Sequence, residues 1–283
     1  MLKRFRLEPI PEARSIGRFL WENYVVWPTP AWRARGRAKA TILGRKFTFA
    51  TRGLDAPMTF LRAVKQGNWE LDLLSRIPRL LSNCVSVCDI GAWIGPYSII
   101  FGTLLGPEGR VYALEPDPVA RARLESNVRL NKLNNVTVLP FAVSDQNSVE
   151  RFSTPLLGGS GSHLGLRPND ALTIETRCVR LDDLCRTIEV WPDLIKVDVE
   201  GGEQKVLTGG KEAISRAKCV VVEFHPSAFS DPTLALTEIA RTLQDSGKTI
   251  VRLPETGGVS PTVPEEAIPF HLLATAPRAN SRL

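Results

Sequence analysis

Three charged residues, Lys196, Asp198 and Glu200, alternate with apolar residues in the segment 194–200. Alternate side chains of a β-strand point to the same face, so all three would share one side of an otherwise apolar strand. Burying charges is costly unless they are paired or used. We therefore expect Asp198 to be the first candidate for a general base or metal ligand and Glu200 the second. A structural ion pair with Lys196 is the alternative.

The next predicted strand ends in Glu223 and His225, with the same alternation. His225 is the third candidate for a catalytic role. Asp198 and Glu200 offer the hard oxygen ligands that Mg²⁺ prefers, but two carboxylates are not a complete metal site. No role is predicted for His163, which follows a stretch of Gly and Ser residues.

A second motif is a glycine turn that follows the apolar segment 85–90. It contains Asp89, Gly91 and Gly95, and a predicted helix then leads to a strand that ends in Glu115. This order is typical of a nucleotide-binding half of a doubly wound α/β sheet. The glycines would let the backbone approach a ligand closely. Glu115 would accept hydrogen bonds from the hydroxyls of a ribose.

The spacing Asp89-x-Gly91-x-x-x-Gly95 differs from the G-x-G-x-x-G pattern that binds a dinucleotide. An acid beside the turn disfavours a diphosphate and suits a cationic ligand with an amino-acid ammonium. S-adenosylmethionine is the ligand that this pattern predicts. An NAD- or nucleotide-sugar-binding enzyme and a non-catalytic nucleotide-binding protein remain as alternatives.

Strands and helices alternate regularly in the predicted elements, which indicates a mostly parallel sheet with right-handed crossovers. Two final strands with no helix between them predict an antiparallel hairpin at the sheet edge. The expected fold is thus α/β and doubly wound. The strands are predicted at 85–90, 110–115, 136–141, 193–199, 219–224, 249–253 and 270–275, and the helices at 96–105, 118–131, 203–215 and 232–246.

We expect a main domain at 57–276, which begins with two short helices at 57–81 and carries an inserted hairpin at about 148–179. The tip of that hairpin, residues 158–162, is rich in Gly and Ser and is expected to close over an acceptor. Residues 1–56 form a basic, aromatic N-terminal arm with a hairpin at 40–51, and residues 277–283 form a tail.

The positive charge is concentrated in the arm. Residues 1–50 contain eleven Lys and Arg against three Glu, a local charge of +8 that leaves −2 for the rest of the chain. The arm would pack on the main domain, or it would contact a membrane surface or a second copy of the chain. We expect no nucleic-acid partner. The sequence has no apolar run of 18 residues, so we expect no membrane span. Its five cysteines include no C-x-x-C pair, which predicts no zinc site and a reducing, cytoplasmic location.

Six segments in this order, over about residues 68–255, resemble the FkbM family of S-adenosylmethionine-dependent methyltransferases: CDIGAWIGPYS, ALEPDP, NNVTVLPFAVSD, RLDDL, LIKVDVEGGEQKVLTGG and VVVEFHP. The resemblance implies the Rossmann-like fold of Class I methyltransferases. It also implies O-methylation of a sugar, a glycolipid or a natural-product hydroxyl, so the expected partner is a small-molecule or glycan acceptor.

The resemblance also assigns cofactor-binding residues. Trp93 stands where the family usually has Asn, and it is expected to cover the adenosine or shape the entrance. Gly91, Ala92 and Gly95 would form the cofactor turn, with Asp89 near the methionine end of the cofactor. Glu115 would bind the ribose, and Ala142 would pack beside the adenine. Glu70 matches an upstream acid that faces the cofactor.

Overall fold

The computed structural model describes residues 36–51, 56–154, 162–165, 172–253 and 268–277. The N-terminal arm up to residue 35, the predicted loop residues 158–161 and the tail from residue 278 lie outside the described residues. The helices of the described part are α1 (Ala56–Gln66), α2 (Leu71–Leu74), α3 (Ile77–Leu80), α4 (Pro96–Leu105), α5 (Pro118–Leu130), α6 (Leu181–Ile188), α7 (Glu203–Gly209), α8 (Lys211–Arg216) and α9 (Pro232–Asp245).

The described strands form three sheets. They are β1 (Arg37–Ile42), β2 (Arg45–Ala50), β3 (Ser86–Ile90), β4 (Arg110–Leu114), β5 (Val136–Leu139), β6 (Ala142–Val143), β7 (Ser148–Thr154), β8 (His163–Leu164), β9 (Leu172–Val179), β10 (Leu194–Val197), β11 (Cys219–Phe224), β12 (Thr249–Leu253) and β13 (Phe270–Thr275). The central sheet has the order β12-β13-β11-β10-β3-β4-β5.

The central sheet confirms the predicted doubly wound topology. Strands β3, β4, β5, β10 and β11 are parallel, and β13 runs antiparallel to both β11 and β12. A hydrophobic cluster covers each face of the central sheet. On β11, Val220 and Val222 pack in one cluster, whereas Val221 packs in the other. The carboxyl ends of the parallel strands therefore meet at one edge, where an α/β sheet binds ligands.

Two predicted helical regions are more divided than the sequence suggested. The helix predicted at 203–215 is split into α7 and α8 at Gly210, because the Asp182 carboxylate accepts hydrogen bonds from the N–H groups of Glu212 and Ala213 and fixes a new helix start. The two helices predicted at 57–81 are three. Glu70, which precedes α2, adopts the left-handed conformation with φ of 43° and so interrupts the helical path.

Strands β1 and β2 form a hairpin that packs on α5. The N–H groups of Thr48 and Ala50 donate to the side-chain oxygens of Asn131 and Asn127 at 2.9 and 2.7 Å. Phe49 of the hairpin is fully buried. The hairpin thus shares the core beside α5. No helix among the described residues is long and apolar enough to cross a bilayer.

The segment predicted as an inserted hairpin contributes to a separate sheet with the order β6-β9-β7-β8. Strand β7 pairs antiparallel with β9 over the full length of β7, and β8 adds a short edge. Strand β6, which follows β5, pairs in parallel with β9. The sheet is therefore attached directly to the end of the central sheet.

Asn127→Ala is expected to lower the free energy of unfolding by about 2 kcal/mol or more. The buried side chain accepts from Ala50 N–H and donates to the Ile94 carbonyl at 2.8 Å, so its removal leaves two main-chain groups without partners. Urea denaturation measures the change. Glu125→Ala, on an exposed part of the same helix, is the control and should change stability by less than about 0.5 kcal/mol; equal effects would contradict this role of Asn127.

Candidate active site

A cavity of about 580 Å³ opens at the carboxyl ends of β3, β4, β10 and β11. Its lining includes the residues that the sequence predicted for cofactor binding and catalysis, apart from Gly95: Glu70, Asp89, Gly91, Ala92, Trp93, Glu115, Ala142, Asp198, Glu200 and His225. The tertiary structure therefore brings nearly all of the candidate residues to one place.

The glycine turn after β3 is held against the rest of the protein. A Cβ on Gly91 would lie 1.7 Å from the carbonyl oxygen of Asp198, and one on Gly95 would lie 2.2 Å from Cδ1 of Leu124. Both glycines also have positive φ, 77° and 86°. The protein itself therefore excludes a side chain at both positions, through Asp198, which follows β10, and through α5. The approach of a ligand to these glycines stays a prediction.

Glu115, the residue after β4, is buried at the cavity wall. Its carboxylate accepts hydrogen bonds from the N–H groups of Trp93 at 2.7 Å and Asp117 at 2.8 Å. Burial raises the pKa of Glu115 to about 8, although these two N–H donors act in the opposite direction. The carboxylate links the glycine turn to the start of α5, and hydrogen bonds from further hydroxyl donors would favour its ionised form.

Trp93 has φ of 50°, a left-handed conformation that is uncommon for a large side chain. Its N–H group is held by Glu115, and its ring lies at right angles to that of Phe60, with centroids 6.2 Å apart. Phe60 in turn contacts Trp69 at 4.7 Å. These rings form an aromatic wall on the α1 side of the cavity.

Asp89 lies at the base of the cavity. Its Oδ2 accepts a hydrogen bond from Ser98, whereas its buried Oδ1 has no hydrogen-bond partner among the described residues. Burial raises the pKa of Asp89 against the opposing effect of Lys196, which sits beside it on β10. Ala142 is buried and also lines the cavity.

Lys196 is 2% exposed, and its ammonium lies 2.8 Å from Oδ2 of Asp198 and 4.7 Å from the centre of the Tyr97 ring. Burial alone would lower the pKa of Lys196, but Asp198 and other nearby carboxylates outweigh burial and raise it. Burial likewise opposes ionisation of Asp198, yet Lys196 and His225 hold the pKa of Asp198 below its usual value. The ion pair that the sequence analysis gave as the alternative to a catalytic role thus exists, and it leaves Oδ1 of Asp198 facing His225.

His225 is buried after β11 among carboxylates. Its Nε2 lies 3.7 Å from Oδ1 of Asp198 and 3.7 Å from Oε2 of Glu200, while its Nδ1 lies 2.8 Å from Oε1 of Glu203. Burial alone would lower the pKa of His225, but Glu203 and Asp198 outweigh burial and raise it to about 9. His225 is therefore protonated at neutral pH, and the three catalytic candidates converge on one end of the cavity.

Residues 89–250 match the family model described as the Methyltransferase FkbM domain. The chain belongs to the FkbM methyltransferase family. This finding confirms the resemblance, and with the sheet order above it confirms the Class I methyltransferase fold.

Three relatives illustrate the breadth of the FkbM family. The 2-O-methyltransferase NoeI of Sinorhizobium fredii is 31% identical over 153 residues, 48% of this chain and 61% of NoeI. The hexuronic acid methyltransferase AglP of Haloferax volcanii is 31% identical over 152 residues, 53% of this chain and 60% of AglP. The 31-O-demethyl-FK506 methyltransferase FkbM of Streptomyces tacrolimicus is 32% identical over 196 residues, 58% of this chain and 73% of that protein. The chain thus spans about three fifths of the length of the first two relatives.

The structure of this FkbM family member includes site residues that the sequence analysis missed. His271 of β13 lies 3.2 Å from Oε2 of Glu70 and 3.5 Å from Oε2 of Glu223, and Tyr97 donates to Glu70 at 2.6 Å. Glu203 contacts His225, as described above. Two signals in the sequence pointed to them: Glu203 is a charged residue at the start of a predicted helix, and His271 is a histidine in an apolar strand. Only the pairing of β11 with β13 places His271 opposite Glu223.

The separate sheet also contributes to the cavity. Phe152, Ser162 and Leu164 are part of its lining. The hydroxyl groups of Thr154 and Ser162 donate to Oδ2 of Asp117, which also caps α5. His163, for which no role was predicted, is buried between two of these lining residues. One wall of the site therefore comes from the segment predicted as an insertion.

The residues present do not fit a magnesium ion. Within the described residues, the ligand atoms of Asp198, Glu223 and His225 lie within 4.8 Å of one another, but Glu200, the predicted second ligand, is not in that group. Lys196 occupies Oδ2 of Asp198. In this group, as in a second one formed by Glu70, Glu223 and His271, one of the three ligands is an imidazole. Magnesium prefers oxygen ligands to imidazole.

His271→Gln tests the buried imidazolium of β13. Burial alone would lower the pKa of His271, but Glu223 and Glu70 outweigh burial and raise it to about 9. A raised histidine pKa contributes stability that is complete below the unfolded value of about 6.5 and is lost as the pH rises through the folded value. The free energy of unfolding of the parent should therefore exceed that of the variant by about 3 kcal/mol near pH 6, and this difference should shrink by pH 10.

Urea denaturation of both proteins at several pH values between 6 and 10 measures this difference. His163→Gln, at a histidine that does not line the cavity, is the control for the loss of an imidazole. A parent-to-variant difference that stayed constant across this range would contradict a protonated His271.

Proposed function

We propose that this protein is an S-adenosylmethionine-dependent methyltransferase that methylates a hydroxyl group of a sugar or glycan, a glycolipid or a natural product. One observation carries the proposal: a single cavity joins the Glu115 carboxylate at the end of β4 to the Asp198, Glu200 and His225 cluster at the ends of β10 and β11. NoeI is named as a 2-O-methyltransferase, FkbM as a 31-O-demethyl-FK506 methyltransferase and AglP as a hexuronic acid methyltransferase, which supports methylation of an oxygen on a sugar or natural product.

The residues present fit the cofactor. Glu115 offers a buried carboxylate to the ribose hydroxyls, and the unpartnered Oδ1 of Asp89 offers an acceptor to the amino-acid ammonium. Glu70 also lines the cavity and would add a second carboxylate. The aromatic wall of Trp93 and Phe60, together with Ala142, suits the flat adenine. A volume of about 580 Å³ lies within the range of ligand cavities.

Bound S-adenosylmethionine supplies an electrophilic methyl group on a sulfonium. The protein's main contributions are then alignment of the acceptor oxygen and exclusion of water, of which alignment alone can lower a barrier by several kcal/mol. The glycine turn and Glu115 would fix one reactant. Phe152 and Leu164 of the separate sheet would cover the other side of the cavity.

We assign the proton acceptor to Oδ1 of Asp198. The acceptor hydroxyl becomes strongly acidic as its oxygen forms the new bond to carbon, so a carboxylate with a lowered pKa is basic enough to take the proton late in the step. Lys196 holds Oδ2 and keeps Asp198 ionised. Glu200 and the N–H of His225 would orient the hydroxyl from either side. No step is assigned to a metal ion.

The remaining parts of the chain enter the proposal as follows. The acceptor is the one partner that the site requires, and no nucleic-acid partner is proposed. The basic N-terminal arm would pack on the body, or contact a membrane surface or a second copy of the chain, in a protein that acts in the cytoplasm. The boundaries at residues 56 and 276 are kept as proposed limits of the methyltransferase domain.

Calorimetry with S-adenosylmethionine, S-adenosylhomocysteine and NAD tests the cofactor assignment. We expect micromolar binding of the first two and no binding of NAD. Glu115→Ala should weaken S-adenosylhomocysteine binding by about 2–3 kcal/mol, because two ribose hydroxyls lose a charged acceptor. Glu125→Ala is the control. Binding of NAD without S-adenosylmethionine would overturn the proposal in favour of a dinucleotide enzyme.

Asp198→Asn tests the catalytic assignment. Sinefungin, a cofactor analogue with an ammonium group in place of the methylsulfonium, should bind the parent at least tenfold more tightly than S-adenosylhomocysteine, and the variant should lose about tenfold of that preference. Transfer of radiolabelled methyl to an acceptor found by screening glycans, glycolipids and polyketides should fall about a hundredfold or more.

Asp183→Asn, which removes a carboxylate outside the cavity, is the matched control and should retain both properties. EDTA should leave methyl transfer unchanged. Near-normal turnover in Asp198→Asn would show that Asp198 serves only to hold Lys196, and loss of activity with EDTA that magnesium restored would contradict the assignment without a metal.

A further inference from the structure

Glu203, the first residue of α7, is a fully buried carboxylate next to the proposed catalytic cluster. Its Oε1 accepts a hydrogen bond from Gly201 N–H at 3.0 Å and lies 2.8 Å from Nδ1 of His225. Its buried Oε2 has no hydrogen-bond partner among the described residues. A buried carboxylate oxygen without a partner costs stability, so its retention calls for an explanation beyond packing.

Glu203 connects the ends of two neighbouring strands. It follows the turn that leaves β10, in which Glu200 and Gly201 have positive φ of 56° and 106°. His225 directly follows β11. Because a single carboxylate oxygen contacts both the turn and the imidazole, Glu203 fixes the position of one relative to the other.

The contact between Glu203 and Nδ1 of His225 determines where the other ring nitrogen, Nε2, points. An imidazole that donates from Nδ1 to a carboxylate has a fixed ring orientation. Nε2 of His225 then faces Asp198 and Glu200, each at 3.7 Å, and Glu223 at 3.9 Å. These three carboxylates and Glu203 are the charged groups that face His225, with Lys196 beyond Asp198.

We propose that Glu203 is a positioning residue that acts through His225, holding the Nε2–H of the imidazole between Asp198 and Glu200 at the acceptor end of the cavity. The inference rests on the proposed function, since it concerns the same reaction. Without the imidazolium between them, Asp198 and Glu200 would repel each other and separate, and the acceptor hydroxyl would lose its fixed position.

Glu203→Gln tests this role, because the amide keeps the size of the side chain and removes its charge. The chain has three histidines, so NMR of protein labelled with ¹³C-histidine gives one resolvable signal each for His163, His225 and His271. The pKa of His225 should fall from about 9 toward its ordinary value, because the charged partner at Nδ1 is lost, and the His163 signal should not change. The preference for sinefungin over S-adenosylhomocysteine should fall at least fivefold, while S-adenosylhomocysteine itself binds within about threefold of the parent.

Asp182→Asn is the matched control. Asp182 is also a buried carboxylate and accepts two main-chain hydrogen bonds, from Glu212 and Ala213, away from the cavity. This variant should lose stability as Glu203→Gln does, yet keep the parent pKa of His225 and the parent ligand preference. The comparison separates a positioning role from a general loss of stability.

His225→Asn provides a second route if Glu203→Gln fails to fold. Its amide N–H can replace Nδ1–H toward Glu203, but nothing replaces Nε2, so the sinefungin preference should again fall at least fivefold. A parent-like preference in either folded variant, or a parent-like His225 pKa in Glu203→Gln, would overturn the inference. A parent protein that bound neither ligand would overturn the proposed function instead, and the NMR titration would still decide whether Glu203 holds His225.

Discussion

The buried ammonium of Lys196 is the interaction on which the arrangement of the site depends. Lys196 lines the cavity, and its ammonium is bonded to Asp198 and close enough to Asp89, Glu70 and Glu223 to influence their ionisation. Four carboxylates in so small a volume would otherwise repel one another or take up protons. Because the ammonium lies beside Asp89 on β3 and two residues before Asp198, which follows β10, it keeps charged groups from the ends of both strands facing one cavity.

The two ends of the cavity are constrained in different ways. At the β4 end, main-chain N–H groups bind Glu115, and a glycine without a side chain lets the β3 turn touch the carbonyl of Asp198. At the β11 end, most contacts are between side chains, through His225 and the carboxylates around it, with one main-chain donor, Gly201 N–H, to Glu203. The end proposed for the cofactor is thus fixed mainly by main-chain groups, and the end proposed for the acceptor mainly by ionised side chains.

The β7–β9 sheet lies where acceptor selection would be expected. Its Phe152 and Leu164 form part of the cavity wall, and Thr154 ties it to Asp117 at the start of α5. Asp117 donates its own N–H to Glu115. Asp117 therefore connects this sheet to Glu115, the carboxylate proposed to hold the ribose. A displacement of the sheet would change the hydrogen bonds of Glu115, and a displacement of Glu115 would change the position of the sheet.

The sequence by itself determined the alternation of strands and helices, the antiparallel edge and the positions of Asp89, Glu115 and Asp198, because hydrophobic periodicity and strand ends are local properties. Only the tertiary structure decided which of these residues meet. His271 faces Glu223 through the register of β13 on β11, and Glu203 reaches His225 across two strand ends. Strand order and register depend on packing between segments far apart in the chain, which no local pattern specifies.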